Sequence, residues 1–178
     1  MTRPAQPAPF VTDPSLRTFP EFELARLLRT VFEPTGGSRV CILIDLEDVA
    51  LAKDFAFLAA PGHEIQKRAY RHFYLPLKEG VMAELGMSGG NLYAYRMTGG
   101  SNLDLPEDCY DVHGNRLSLD RDVYAEYDLI LCISTFSATA PLTAKCKEFG
   151  FRGATLHGVN EIILATGLAV DYLQVSAD

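Results

Sequence analysis

The chain has 178 residues, 48% hydrophobic and 22% charged, with a formal net charge of −7. That length suits one domain with a real core, burying roughly 70% of its unfolded surface. The acidic balance disfavours nucleic acid, because phosphate binding needs a basic surface, and no window reaches the roughly 18 apolar residues of a membrane-spanning helix.

Residues 1–18, with Pro4, Pro7, Pro9 and Pro14, read as an extended or disordered tail. They hold no apolar stretch of the kind a secretory signal needs, so a cytoplasmic location is expected. Residues 19–178 read as a single domain. A helix is predicted from Pro20, with Leu24, Leu27, Leu28, Val31 and Phe32 on one face; Pro34, Gly36 and Gly37 stop it. Arg39–Ile44 is a continuous apolar strand, the kind covered on both faces. Val49–Ala60 reads as a helix. A second helical pattern runs over Glu64–Leu85, with Ile65, Ala69, Phe73 and Leu77 recurring every four residues. Pro76 must kink or split it, and Gly86 caps it.

Asn91–Met97 is the next strand. Ser101–Asp128 follows as an acidic connection, eight acids against Arg116 and Arg121. It contains a predicted hairpin, Cys109–Val112 and Arg116–Leu119 around His113-Gly114-Asn115. Leu129–Ile133 is a third core strand, Ala140–Phe149 a helix, Phe151–Leu156 a fourth strand and Glu161–Gly167 a final helix capped by Asn160. Ala169–Val175 ends the pattern as a last strand or extended exit. Alternation of this kind predicts an α/β three-layer sandwich with a mostly parallel sheet of about four to five strands, plus the small hairpin.

In such sheets ligands bind at the carboxyl ends of the strands. Asp45 ends the first strand there and could orient an amine; the simpler reading makes it and its neighbours Glu47 and Asp48 the start of the next helix. Thr98-Gly99-Gly100-Ser101-Asn102 could form a nest of N–H groups around a small anion, or a plain turn. Ser134, Thr135 and Ser137 lead into a helix, where hydroxyls and N–H groups favour carboxylate or phosphate; simple capping needs no ligand. His157 follows the fourth strand and is the best placed of the four histidines, or a turn residue bonded to backbone. The acidic connection could draw a peptide amine or a cation, or be a solvated link. Cys41, Cys109, Cys132 and Cys146 form no C-x-x-C pair and no two histidines sit one helical turn apart. No metal site and no catalytic set are therefore expected within this chain.

The segment Phe149–Tyr172, FGFRGATLHGVNEIILATGLAVDY, resembles the end of the N-terminal domain of the aminopeptidase T-like, or thermophilic leucyl aminopeptidase, metallopeptidases. Asp128–Leu142 and Met97–Pro106 resemble members of the same family. The likeness covers about residues 20–178. It implies a hydrolase of two domains, typically a homodimer, whose two divalent metal ions are held by the C-terminal half. No metal ligand carries over onto these residues. The resemblance therefore implies a non-catalytic N-terminal domain that forms a substrate-side wall, a contact with the C-terminal domain or a dimer surface, with the apolar 162–175 stretch as the dimer candidate. The related dihydroxypyridine dioxygenases, which place their metal in the second domain, are the runner-up for the parent chemistry. A free-standing small-ligand-binding module is the alternative from a different class.

Overall fold

A computed structural model of the chain describes residues 24–29, 37–157, 162–165 and 171–172. The predicted tail and the start of the first helix lie outside them. The order of elements is α1 (Leu24–Leu27), β1 (Arg39–Leu46), a 3-10 segment (Val49–Leu58), α2 (Glu64–Ala69), two π-helical turns (Tyr70–Tyr74 and Leu77–Val81), α3 (Met82–Leu85), β2 (Ser88–Arg96), β3 (Asp108–Tyr110) and β4 (Arg116–Ser118). A π-helical turn (Leu119–Tyr124), β5 (Leu129–Ser134), α4 (Thr139–Phe149), β6 (Arg152–His157), β7 (Ile162–Ala165) and β8 (Asp171–Tyr172) complete it.

The strands form one mixed sheet in the order β4-β3-β2-β1-β5-β6-β7-β8. Its centre, β2-β1-β5-β6, is parallel, and each edge carries an antiparallel pair. The α/β class is as expected; about four to five strands plus the hairpin were predicted, and the described residues form eight, the hairpin pair β3 and β4 among them. The predicted hairpin is present. Asp111 builds its turn by accepting bonds from His113 N (2.9 Å) and Asn115 N (2.8 Å). The largest departure is at 161–167. The sequence predicts a helix there, but Ile162–Ala165 returns antiparallel on β6, with Ala154 opposite Leu164 and Thr155 opposite Ile163. Adjacent β-branched residues suit a strand, and pairing to a neighbour outweighs the weak local helix signal of Asn160-Glu161.

Alternation along β1 divides the interior. Val40, Ile42, Ile44 and Leu46 face one core, with Phe57, Phe73 and Leu77 from the helical elements. Cys41 and Leu43 face the other, with Tyr93, Tyr95, Leu119, Val123 and Leu142. Residues of both sets are essentially inaccessible, as side chains on a doubly covered sheet must be.

Two local departures have clear causes. The predicted Val49–Ala60 helix is instead a 3-10 segment broken where Asp54 (φ 53°) and Phe55 (φ 57°) enter left-handed backbone; Asp54 N donates to Val112 O of the hairpin at 2.8 Å. Pro76 lies between the two wide π turns, which absorb the N–H it lacks; the helical run kinks only at Gly80 (φ 158°), inside the second of them. Gly86 closes that run in left-handed conformation, as expected. The face turned inward is Gln66, Ala69, Phe73 and Leu77, with Ile65 half-buried against the same core.

Candidate functional site

β1 lies between β2, which follows it in the chain, and β5, which comes much later. The connections from β1 and β5 leave to opposite sides, so the carboxyl ends of β1 and β5 flank a topological switch point, where α/β sheets form their crevice. Three of the predicted ligand elements gather here: Asp45 at the end of β1, the turn 98–102 after β2, and the turn 134–139 after β5.

Asp45 is 1% exposed. Its carboxylate accepts from Thr135 N (2.9 Å to Oδ1, 3.0 Å to Oδ2), from Phe136 N (3.5 Å) and from Gln66 Nε2 (2.7 Å). Gln66 Nε2 also reaches Asp45 O (2.8 Å) and Thr135 Oγ1 (2.9 Å). Only the amino end of the Gln66 amide can face those acceptors, which fixes its orientation. Burial pushes the Asp45 carboxyl above its ordinary 3.8, while the bonds from Thr135, Gln66 and Phe136 pull the other way. Thus the successive amides of residues 135 and 136, which could have bound an anion, hold the chain's own carboxylate.

The start of α4 is occupied in the same manner. Asn102 adopts left-handed backbone (φ 59°). Its Oδ1 accepts from Ala140 N (3.0 Å) and Ser137 Oγ (3.3 Å), and its N–H donates to Ser137 O (2.7 Å). Ser137 Oγ accepts a long bond from Thr139 N (3.4 Å), and Pro141 has no N–H to offer. The cap therefore comes mainly from Asn102 on a different loop, not from Ser137 or Thr139. Thr98 Oγ1 donates to Gly100 O (2.9 Å), and Gly99 takes φ 85°; Ser101 is exposed beside them. Ser134 Oγ is turned inward, donating to Phe136 O (2.6 Å). Thr139 Oγ1 bonds Thr155 Oγ1 (2.8 Å), tying α4 to β6. His157 closes β6 opposite Ser134 in the register.

Gln66 was not among the predicted site residues. Its signal was present: a polar residue three before Ala69 and seven before Phe73, on the apolar stripe of a helix. A buried amide there needs partners, and Asp45 with Thr135 supplies them.

The acids of the connection are bonded partly within it and partly by residues outside it. Arg116 pairs Asp108, Lys145 lies 3.1 Å from Asp120, Arg39 lies 3.1 Å from Glu126, and Asp128 accepts from Arg39 N at 2.8 Å. Asp111 builds the hairpin turn, and Asp122 accepts from Ser118 N at 2.8 Å. Six of the eight acids thus make bonds that hold the fold. The four cysteines are buried and form no disulfide. Burial pushes the thiols of Cys109, Cys132 and Cys146 up to about 12, so they stay protonated and unreactive at neutral pH.

Among the described residues no group of three or more His, Cys, Asp or Glu side chains is placed to hold a metal ion, and no helix is long and apolar enough to cross a membrane. Phe73 and residues 131–133 and 154–156 of β5 and β6 line a small gap of about 10 Å³, room for no more than a water. Comparison with known protein families, with characterised proteins and with solved structures finds no match.

Proposed function

We propose that this chain is a non-catalytic α/β domain of an aminopeptidase T-like metallopeptidase, serving as a wall beside the substrate or as a contact for a second domain or a second copy. The family part of the reading rests on the resemblance of Phe149–Tyr172, Asp128–Leu142 and Met97–Pro106. The scaffold part rests on one observation: the polar groups at the carboxyl edge of the sheet bond to one another. Asp45 occupies the amides of Thr135 and Phe136, and Asn102 occupies the start of α4. A hydrolytic site needs ligands or bases that converge on open space. Among the described residues there, Asp45 and Asn102 are already partnered. Packed side chains on both faces of the sheet support the three-layer sandwich that this reading includes.

The direct test is turnover of aminoacyl amides by the purified chain, with and without zinc, cobalt or manganese. No rate above the metal-only blank is expected. Metal-dependent turnover that disappears in Asp45→Asn would contradict the scaffold role.

A small-ligand module is the second reading. It is favoured by the position of a buried carboxylate at the switch point, where α/β proteins place their ligands. Calorimetry with inorganic phosphate and with a simple primary amine separates the two. Heat of binding that is lost in Asp45→Asn or Asn102→Gly would favour the module.

A further inference from the structure

The turn after β2 reaches further than a connection requires. Met97 is pinned at the sheet, its N–H donating to Leu46 O at the end of β1 (2.9 Å). Five residues later Asn102 is bonded to Ser137 and Ala140, beyond the end of β5. Since β1 lies between β2 and β5, residues 98–101 must pass across the carboxyl end of β1. That is where the Asp45 side chain is closed off from water.

We propose that residues 97–102 are a strap that opens and closes over the switch-point crevice, with Asn102 as its latch. The two ends of the strap differ in kind. Met97 is held by a bond continuing the β1–β2 ladder. Asn102 is exposed, so its three bonds to Ser137 and Ala140 compete with water and are the weaker attachment. Between them lie Gly99 and Gly100. A Cβ on Gly99 would meet nothing within 4 Å, so this glycine serves the backbone's freedom and not close packing. Releasing Asn102 leaves the strap hinged at Met97, free to swing about the glycine pair. It uncovers the Asp45 carboxylate together with the amides of Thr135 and Phe136. This device is independent of the family reading: a wall domain and a ligand module would both contain it.

The test uses Asn102→Gly, which accepts the left-handed backbone without strain but removes the carboxamide. Two probes are read on the folded protein: carbodiimide coupling of Asp45 to glycine ethyl ester, located by mass spectrometry, and iodoacetamide alkylation of Cys132. The expected result is several-fold faster labelling of Asp45 with Cys132 unchanged, and faster amide exchange at Thr135, Phe136 and Ala140. Unchanged labelling of Asp45 would overturn the strap. So would a matching rise at Cys132, which would make Asn102 a staple of the whole fold. In the unaltered chain, amides of Asn102, Thr135 and Phe136 should exchange with one common opening rate, faster than Ile42 and Ile130. Exchange of Thr135 and Phe136 only with the core amides would also overturn it.

Discussion

The two ends of the parallel sheet solve the same problem with different chemistry. At the amino end, charge meets charge. Arg39 bonds Glu126 through its backbone oxygen (2.8 Å) and its carboxylate (3.1 Å), receives Asp128 on its backbone N–H, and lies 4.7 Å above the Tyr127 ring. Tyr127 OH joins Tyr93 OH and Asn91 Nδ2, each at 2.7 Å. At the carboxyl end the buried Asp45 has neutral donors around it: two backbone amides and the Gln66 carboxamide. An ionised carboxylate without a nearby cation is expensive to bury, and its upward-shifted pKa expresses that cost. An end held together by compensated, half-exposed charges is scaffold. An end whose buried carboxylate is held by neutral donors alone keeps a desolvated acid at the switch point, where α/β sheets form their crevice.

Substitutions can break this comparison, beginning with the amino end. Gly89, opposite Val40, and the unpaired Gly90 make the bulge that shifts the β1–β2 register between Val40 and Cys41. The φ of Gly89 is +92°, and a Cβ there would lie 2.7 Å from the Val40 carbonyl oxygen. Gly89→Ala is expected to cost about 3 kcal/mol, the upper part of the range for a strained backbone, measured by urea unfolding. At the carboxyl end Asp45→Ala leaves the amides of Thr135 and Phe136 without their carboxylate acceptor and is expected to cost about 2 kcal/mol, within the range for an orphaned buried donor. A stabilising Asp45→Ala would show that burying the charge outweighs every bond it makes. Arg39→Ala removes an exposed ion pair and a ring contact, so about 1 kcal/mol is expected. That loss should shrink in 1 M salt, whereas the Asp45→Ala loss should not.

The smallest effect sharpens the contrast through pH. Asp45 has a native pKa above 3.8, so the folded state takes up this proton more readily than the unfolded chain. Its contribution is fullest below pH 3.8 and is lost as pH rises through the raised native value. Asp45→Asn should remove that trend, so the stability difference between wild type and variant should change only across that window. A difference that changes in the opposite direction would mean that the bonds from Thr135 and Gln66 outweigh burial.

Much of this was legible in the residues. The apolar runs at 40–44 and 129–133 announced central strands, because a strand covered on both faces has no polar side to show. Asp45 and the two turns were marked by their position after strands. Their partners were not, since Asp45 meets Thr135 across 90 residues and Asn102 meets Ala140 across 38. Spacing along the chain carries no record of such meetings. The helical turn at 119–124 was hidden by its acidic sequence, yet Ser118 and Asp122 cap its start reciprocally, with Ser118 Oγ accepting from Arg121 N at 3.2 Å. That pattern was open to reading. The strand at 162–165 was not, because Asn160-Glu161 is a fair helix start and only pairing with β6 decides against it.

The carboxyl of Asp45 itself offers the most direct measurement. Its ¹³C resonance, followed by NMR through an acid titration of the folded chain, is expected to turn at a pH clearly above 3.8. A midpoint at or below 3.8 would contradict a desolvated carboxylate held by neutral donors alone and remove the distinction between the two ends of the sheet.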